Sequence, residues 1–445
     1  MAFRSRAVQL QLDRKAFVSD AESPLAERIV YNGVHVSRAT FKAGLAVGVH
    51  RWFRLTPSFG PDLVREMLFA LECDSSDVVL DPFAGAATTL IECQLQGIRS
   101  YGFEINPFLC FVGNTCLNWQ MESAKLTEAL ASVCDQFREM STKVNFDNLS
   151  EYGLQIPTIH NPIRWWRSDV LAHLLLLKFC IESVAKTESL RNFFRLALAG
   201  VLVPDLTNVT LGRLQLHFID RSKDRIDVLS TFADHAAGMI DDIEEIHKSE
   251  LQQTSKVFLT NSTDLANREF DSKVTCVVTS PPYPNRYSYV WNTRPHLYLL
   301  DFVSMAKEAS AIDSATIGGT WGSATSMLQK GKLSAKFPIV EAVVGPVVEK
   351  IRLADNLMAN YAMKYFNLLA KQLLEMDRVL TKDARIAYVV GCSRLKGVYV
   401  ETDVMLGKIM EGLDLGYKVK SIDRIRRRNS GKDLHESIVY AWKRS

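Results

Sequence analysis

Apolar residues follow two rhythms along this chain, and each rhythm indicates a type of secondary structure. Short, mostly apolar runs at 78–80, 256–259, 274–278 and 385–391 are typical of buried strands. Between such runs, apolar residues recur every three or four positions, as in the stripe within 63–71, and this spacing predicts helices. Because the strands alternate with helices, the pattern predicts an α/β domain.

The segment 117–255 breaks this alternation, because its apolar spacing is mostly helical. In its cluster Arg164-Trp165-Trp166-Arg167, arginines could neutralise phosphates while tryptophans stack on bases. Amphipathic helices also use such residues to cover a core, so both interpretations stay open. We expect a helical insertion at 117–255 within a domain formed by 48–116 and 256–445, with an N-terminal extension at 1–47.

The composition narrows the class of protein. The 445 residues are 47% hydrophobic and 23% charged, which is usual for a globular chain that can bury a large core. The formal net charge of +3 permits a nucleic-acid partner without indicating one. Charged residues at Lys178 and Glu182 interrupt the apolar run 171–185, which predicts a core helix and no membrane span.

The cysteines and the first residues bear on compartment and metal content. The chain has eight cysteines but no Cys-x-x-Cys pair and no histidine cluster at zinc spacing, so we expect no metal site. Thiols scattered in apolar surroundings favour a reducing compartment. Because residues 1–6 lack the apolar stretch of a secretory signal, we expect a cytoplasmic protein.

The first candidate for chemistry is the turn that follows the strand 78–80. This strand, a small-residue turn and a helix beginning near residue 90 form the first half of a nucleotide-binding α/β unit. A glycine in the turn lets the backbone approach a ligand, and threonines near a helix N-terminus favour anionic groups. The candidate ligand-binding residues here are Asp81, Pro82, Phe83, Ala84, Gly85 and Thr88.

Two further acids end predicted strands. Glu104 closes the second strand about 20 residues after Asp81, where an acid commonly accepts hydrogen bonds from ribose hydroxyls. Asp264 follows the strand 256–259 and could accept a hydrogen bond from an adenine amino group. The sequence therefore predicts a nucleoside-containing ligand at the carboxyl edge of the sheet.

The second motif is Thr279-Ser280-Pro281-Pro282-Tyr283, directly after the strand 274–278. Neither proline has a backbone N–H and both have a fixed φ, so the loop is stiff and its carbonyls are free to accept. Ser280 adds a hydroxyl acceptor and Tyr283 an aromatic face. Such a loop is suited to a planar group with an exocyclic amine, although two prolines alone usually mark an ordinary turn.

Together the two motifs resemble those of amino-directed DNA methyltransferases that use S-adenosylmethionine, particularly the N4-cytosine type. The resemblance covers roughly residues 48–116 and 256–442. It implies a Rossmann-like class I methyltransferase sheet with helices on both faces. It also implies that Asp81 to Gly85, Glu104 and Asp264 bind the cofactor, and that the segment 50–58, including Thr56, helps hold its methionine end. Many N4-cytosine enzymes carry the catalytic loop first, whereas here the cofactor loop comes first.

The resemblance also implies a chemistry for the proline loop. An exocyclic cytosine amine is a poor nucleophile, and acceptors on its hydrogens make the nitrogen more tetrahedral and more reactive. The Ser280 hydroxyl and the Pro281 carbonyl would accept these hydrogen bonds while Tyr283 stacks on a base flipped out of the duplex. Serine at position 280 favours cytosine over adenine. No Pro-Cys dipeptide occurs, so methylation of the cytosine ring carbon is not expected.

Three alternatives stay open: an adenine-N6 DNA methyltransferase, an RNA guanine methyltransferase, and a nucleic-acid-binding protein without catalysis. In the preferred interpretation the partner is DNA, a cognate restriction endonuclease is a possible second partner, and the target-recognition region is 117–255 or, as second choice, 310–350. The candidate DNA contacts are Arg164, Arg167, Arg286, Lys330, Lys332 and Arg426.

Overall fold

The computed structural model describes residues 23–31, 47–212, 215–248, 254–265, 272–319, 326, 328–427 and 434–444. Most of the predicted N-terminal extension 1–47 therefore lies outside the described residues, as do parts of the segment 310–350. A three-residue strand at Ile29–Tyr31 is one described part of that extension, and it pairs in parallel with residues 422–424 near the end of the chain.

A single eight-stranded sheet forms the centre of the fold, in the order β1-β11-β12-β8-β7-β2-β3-β6. All neighbouring strands are parallel except β12, which is antiparallel to both β11 and β8. Two short hairpins, β4–β5 and β9–β10, lie outside the sheet. The strands are β1 (Ile29–Tyr31), β2 (Val78–Asp81), β3 (Arg99–Glu104), β4 (Val209–Leu211), β5 (Leu216–Phe218), β6 (Ser255–Leu259), β7 (Val274–Thr279), β8 (Leu380–Gly391), β9 (Ser393–Leu395), β10 (Val398–Val400), β11 (Tyr417–Arg427) and β12 (His435–Lys443).

Helices cover both faces of this sheet, and adjacent residues of one strand pack against helices on opposite faces. Val79 packs against the helix Pro61–Ala70, whereas its neighbour Leu80 packs on the opposite face with the helix Asn356–Asp377. Side chains alternate between faces along a strand, so a strand that is apolar throughout is buried from both sides. The predicted α/β class with helices on both faces is confirmed.

Fourteen α-helices occur among the described residues. They are α1 (Pro61–Ala70), α2 (Thr88–Leu95), α3 (Pro107–Cys116), α4 (Ser123–Ser141), α5 (Pro162–Trp165), α6 (Ser168–Val184), α7 (Glu188–Leu202), α8 (Val228–His247), α9 (Tyr289–Asn292), α10 (Arg294–Leu299), α11 (Ala306–Ala315), α12 (Pro338–Arg352), α13 (Asn356–Asp377) and α14 (Thr402–Gly412). In the part of the chain that the structure describes, none of them is long and apolar enough to span a membrane.

The segment 117–255 contains α4 to α8 and the hairpin β4–β5. Its helices pack on one another and on α3, so their buried side chains form one continuous cluster with those of the α/β domain. Asp242 of α8 adds a polar link, because it accepts hydrogen bonds from the Arg51 guanidinium and, at 2.9 Å, from the indole N–H of Trp52. The helical region is therefore held firmly against the sheet domain.

The chain leaves β2 outward to β3 and β6 and then returns to β7 on the other side of β2. In open parallel sheets, the crevice where the strand order reverses in this way is the usual ligand site, at the carboxyl ends of the strands. The carboxyl ends of β2 and β7 carry the two motifs singled out in the sequence.

Candidate active site

A cavity lies at this reversal point, with an empty volume of about 860 Å³ that includes its open side. Loops after four neighbouring strands line it: residues 82–86 after β2, 104–106 after β3, 260–262 after β6, and Ser280 with Pro282 after β7. The segment 55–59 and the pair Thr316 and Ile317 complete the wall. Of the residues predicted for the site, the lining includes Pro82, Phe83, Ala84, Gly85, Thr88, Glu104, Ser280 and Pro282.

The turn after β2 depends on a glycine. Gly85 has a φ of +53°, and a Cβ built there would lie 3.0 Å from the side chain of Leu55. A side chain at this position would be strained and crowded, so the turn requires glycine. The Gly85 N–H donates a hydrogen bond of 3.0 Å to Glu104 Oε2, which ties the turn after β2 to the end of β3.

Glu104 is the acid that faces the cavity. Its second carboxylate oxygen accepts from the Asn106 N–H at 2.8 Å, so two backbone donors hold the group in place. Burial, only partly offset by these hydrogen bonds, raises the pKa of Glu104 to about 7. A carboxylate offers about four acceptor positions, and two backbone bonds leave capacity for hydroxyl donors.

Asp81 lies beneath the cavity and does not line it, in contrast to the expectation that it meets a ligand directly. One of its oxygens accepts from Thr279 Oγ1 at 2.5 Å and from the Phe83 N–H at 3.0 Å, and the other accepts from Thr89 Oγ1 at 2.7 Å. Its side chain is fully buried. Asp81 therefore fixes the end of β2 to the end of β7 and acts on any ligand through the two loops.

The environment of Asp81 gives a first prediction. Burial is the largest effect and raises the pKa of Asp81 from 3.8 to about 6. The folded chain thus retains a proton that the unfolded chain releases, and this contribution to stability, present below about pH 4, is lost as the pH rises through about 6. Between about pH 5 and pH 7.5, we expect the unfolding free energy of the wild type to fall by about 1 kcal/mol relative to Asp81→Asn.

Urea unfolding of both proteins at several pH values measures this difference. Burial, the main cause of the raised pKa of Glu104, is common to the two proteins and cancels in the comparison, and only the smaller part caused by the charge of Asp81 differs between them. A difference that stays constant over this pH range would contradict the assigned environment of Asp81.

The proline loop meets the glycine turn across the cavity. Ser280 is half-buried and its hydroxyl donates to the carbonyl of Val389 on β8 at 3.2 Å, so the oxygen retains its lone pairs as acceptors. Pro282 lines the cavity beside it, whereas Pro281 is buried beneath the loop surface. Two turns that are about 200 residues apart in sequence thus form one pocket.

Tyr283 does not line the cavity, and its hydroxyl contacts a buried acid. Its hydroxyl donates to Glu436 Oε1 at 2.6 Å, and the other oxygen of Glu436 accepts from Arg426 Nε. Glu436 and Arg426 are directly opposite each other on β12 and β11. Arg426, predicted as a DNA contact, is therefore occupied by a carboxylate that is only 5% exposed. Sequence reasoning missed Glu436, because only the folding of distant segments places it beside Arg426 and Tyr283.

Two other predicted cofactor residues lie beside the cavity. Asp264 is exposed and does not line it, because the turn begun by Asn261 carries Asp264 outward while Asn261 and Ser262 face inward. Thr56 is also displaced: its neighbours Leu55, Pro57 and Ser58 line the cavity, and its carbonyl accepts from the Tyr287 hydroxyl. The alternating polar and aromatic residues after the proline loop were a signal for this wall, since Tyr289 lines the cavity too.

Three arginines predicted as DNA contacts differ in their exposure and in the contacts that they make. Arg167 donates to the carbonyls of Arg221 at 2.9 Å and Asp224 at 2.6 Å, so it holds a loop in place. Arg164 is exposed and lies 4.0 Å from the centre of the Phe218 ring. Arg286 is half-buried beside the proline loop, and its backbone N–H donates to the Tyr361 hydroxyl.

A cluster of possible metal ligands lies at the opposite edge of the sheet. Atoms of Cys73, Asp77 and Cys276 are within 4.8 Å of one another. Asp77 already accepts hydrogen bonds from Thr275 and from the Arg385 guanidinium. Because Arg385 supplies the positive charge there, this arrangement is accounted for as an ion pair at the amino edge of the sheet.

Comparisons with known proteins point the same way as the geometry. Residues 42–113 match a family described as DNA methylase (N6_N4_Mtase). The chain is 23% identical to the Type II methyltransferase M.AvaI of Nostoc sp. over 91% of this chain and 88% of that protein. It is 22% identical to the Type II methyltransferase M.MvaI of Kocuria varians over 81% of each chain. These matches support an amino-directed DNA methyltransferase.

Among solved structures, the rRNA methyltransferase aviRa from Streptomyces viridochromogenes aligns with 92% of this chain and 96% of its own. The TM-score is 0.31 and the sequence identity 12%.

Proposed function

We propose that this protein transfers a methyl group from S-adenosylmethionine to the exocyclic N4 amine of a cytosine in DNA. The observation that carries the proposal is that Ser280 and Pro282 line the same cavity as Gly85 and Glu104. An amine acceptor and a candidate cofactor site therefore share one pocket. The family match and the Type II methyltransferase relatives support methylation of specific DNA sites.

The residues of the cavity fit the chemistry of the cofactor. Glu104 provides a carboxylate with spare acceptor capacity, which suits a pair of ribose hydroxyls. Phe83 and Ile105 give apolar walls for a planar base, and Asn261 and Ser262 add polar groups at its edge in place of the predicted Asp264. S-adenosylmethionine would supply a methyl group bound to a positively charged sulfur.

The proline loop would hold the target amine. Ser280 Oγ and a loop carbonyl accept hydrogen bonds from the amine hydrogens, which draws the nitrogen lone pair out of conjugation with the ring. Positioning and preorganised dipoles, without a covalent enzyme intermediate, would then supply the rate. Tyr283, which follows the cavity-lining Pro282, would stack on the flipped base beside the cavity, with the orientation of its ring fixed by Glu436.

The cytosine assignment depends on Ser280. In the family that this chain resembles, serine at this position favours cytosine as the target base, whereas Asp or Asn favours adenine. We further propose a cognate restriction endonuclease as a partner in the cell, which the similarity to Type II methyltransferases supports.

Identification of the methylated nucleoside tests the proposal. The protein is incubated with genomic DNA or, separately, with total RNA, together with the cofactor carrying an isotopically labelled methyl group. Each nucleic acid is then digested to nucleosides and analysed by mass spectrometry. We expect label in N4-methylcytosine. Label in N6-methyladenine would replace cytosine by adenine as the target base. Label only in RNA, or cofactor binding without transfer to any nucleic acid, would reject the proposed function.

A further inference from the structure

A row of polar side chains runs along one face of α13. Asn360, Lys364, Asn367 and Lys371 follow one another at spacings of four, three and four residues, which places them on a single stripe of the helix. The two asparagines are buried, at 1% and 3% exposure. A buried carboxamide needs hydrogen-bond partners, and both find them in the segment 328–336.

These asparagines fix the segment 328–336 along the helix. Asn360 accepts from the Leu333 N–H at 2.9 Å and donates to the Leu328 carbonyl at 2.9 Å. Asn367 accepts from the Lys336 N–H at 2.8 Å and donates to the Ser334 carbonyl at 3.0 Å. The segment, which is irregular from residue 330 to residue 336, is thereby held in one position along α13.

The result is a groove with lysines on both sides. A cavity with an empty volume of about 840 Å³, which includes its open side, is lined by Lys330, Lys332 and Lys336 from the segment and by Lys364 and Lys371 from the helix. We call these five residues and the cavity between them the lysine groove. Two of its members, Lys330 and Lys332, are predicted DNA contacts.

The positive charge of the lysine groove is only partly neutralised. Lys332 forms an ion pair with Glu349 at 3.0 Å. Burial lowers the pKa of Lys364, and the negative charge of Asp313 offsets part of that shift. Lys330, Lys336 and Lys371 are exposed, and no ion pair is formed by them with the residues that the structure describes. The whole chain carries a formal net charge of only +3, so this is a local concentration of charge that favours a polyanion.

The lysine groove adjoins the candidate active site through Lys364. Its ammonium donates to the carbonyl of Ser314 at 3.0 Å, just before Thr316 and Ile317 enter the cavity wall. In the same loop, a Cβ built on Gly318 would lie 3.5 Å from Pro282 of the proline loop. A strand whose base occupies the cavity would therefore leave its backbone within reach of the groove.

We propose that the lysine groove binds phosphates of the DNA strand that flanks the target base. The proposal rests on the proposed function in taking DNA as the substrate. It assigns this face to the DNA backbone, whether or not the segment 117–255 is the target-recognition region that the sequence predicts. Lysine ammonium groups act as point charges on phosphates and read no base edges. The groove would therefore contribute affinity that depends on salt and is independent of sequence.

The test compares two triple variants of equal charge. The groove variant is Lys330→Ala, Lys336→Ala, Lys371→Ala. The control variant is Lys273→Ala, Lys382→Ala, Lys418→Ala, which removes three exposed lysines near the amino ends of β7, β8 and β11, at the opposite edge of the sheet. Fluorescence anisotropy measures the affinity of each protein for labelled duplexes of two sequences between about 50 and 200 mM salt.

For the groove variant we expect the slope of log affinity against log salt to shrink by about 2 to 3, with affinity at least about tenfold weaker for both duplexes. The control variant should keep the slope of the wild type. Calorimetric affinity for S-adenosylmethionine should be the same in all three proteins, which shows that the candidate site is still folded.

Equal slopes for the groove variant and the wild type would overturn the proposal. Failure of the proposed function gives a different result. In that case the wild type binds duplex DNA with a groove-dependent slope but transfers no methyl group to it. A wild type that does not bind duplex DNA at all would remove both proposals.

Discussion

Ser280→Ala is expected to slow methyl transfer at least about a hundredfold while the affinity for S-adenosylmethionine changes by less than about threefold. Loss of one preorganised polar group that acts on the reacting atoms typically costs this much in rate. Ser280 belongs to the loop after β7, whereas the groups assigned to the cofactor belong to the loops after β2, β3 and β6. The two functions of the pocket should therefore separate in this variant.

Single-turnover kinetics with saturating cofactor measures the transfer step, and calorimetry measures cofactor affinity. Ser262→Ala is the matched control, because Ser262 is a second serine that lines the same cavity from the loop after β6. It should weaken cofactor affinity more than it slows transfer. Equal losses of affinity and rate in Ser280→Ala would contradict the role assigned to its hydroxyl.

The two motifs and the class of fold could be predicted because each depends on neighbours in sequence. A buried strand followed by Gly85 or by two prolines has few local conformations, so the turn at each strand end follows from the residue types. The meeting of these turns then follows from the strand order of a parallel sheet. Local chemistry together with a simple topological rule was sufficient here.

Asp81 shows what the sequence could not provide. An acid at a strand end has the same local pattern whether it faces a ligand or a neighbouring strand. Its main partner, Thr279, is 198 residues away, and only the packing of β2 beside β7 brings the two together. Asp264, unlike Asp81, is exposed, and local contacts are the reason. A hydrogen bond from the Thr263 N–H to the Asn261 side chain fixes the turn that directs Asp264 away from the cavity.

The arginines show the same limit for surface chemistry. Arg167 and Arg426 occur in basic clusters that favour nucleic acid, yet one holds a loop by its carbonyls and the other pairs with a buried glutamate. A charged residue is available to a partner only if the fold leaves it without one. Lys330 meets that condition among the described residues, and its place in the lysine groove depends on buried asparagines far along the chain.

Glu104→Ala is expected to weaken the affinity for S-adenosylmethionine at least about a hundredfold, because two hydrogen bonds to a charged group, each worth about 1.5 to 3 kcal/mol, are lost together. Ser280→Ala serves as the control that keeps this affinity. Methyl transfer by Glu104→Ala should recover in part at high cofactor concentration, since Glu104 is assigned to binding and not to the amine.

The protonation of Glu104 makes a sharper test of the same assignment. Burial raises its pKa to about 7, and ribose hydroxyls donate better to the ionised form. A proton therefore competes with the cofactor below neutral pH, and the wild-type affinity should fall by up to about tenfold between about pH 8 and pH 6. Glu104→Gln keeps the shape of the side chain but cannot ionise, so its weaker affinity should lack this dependence. If calorimetry gives the same pH profile for Glu104→Gln and the wild type, the carboxylate does not contact the cofactor and the ribose site lies elsewhere in the cavity.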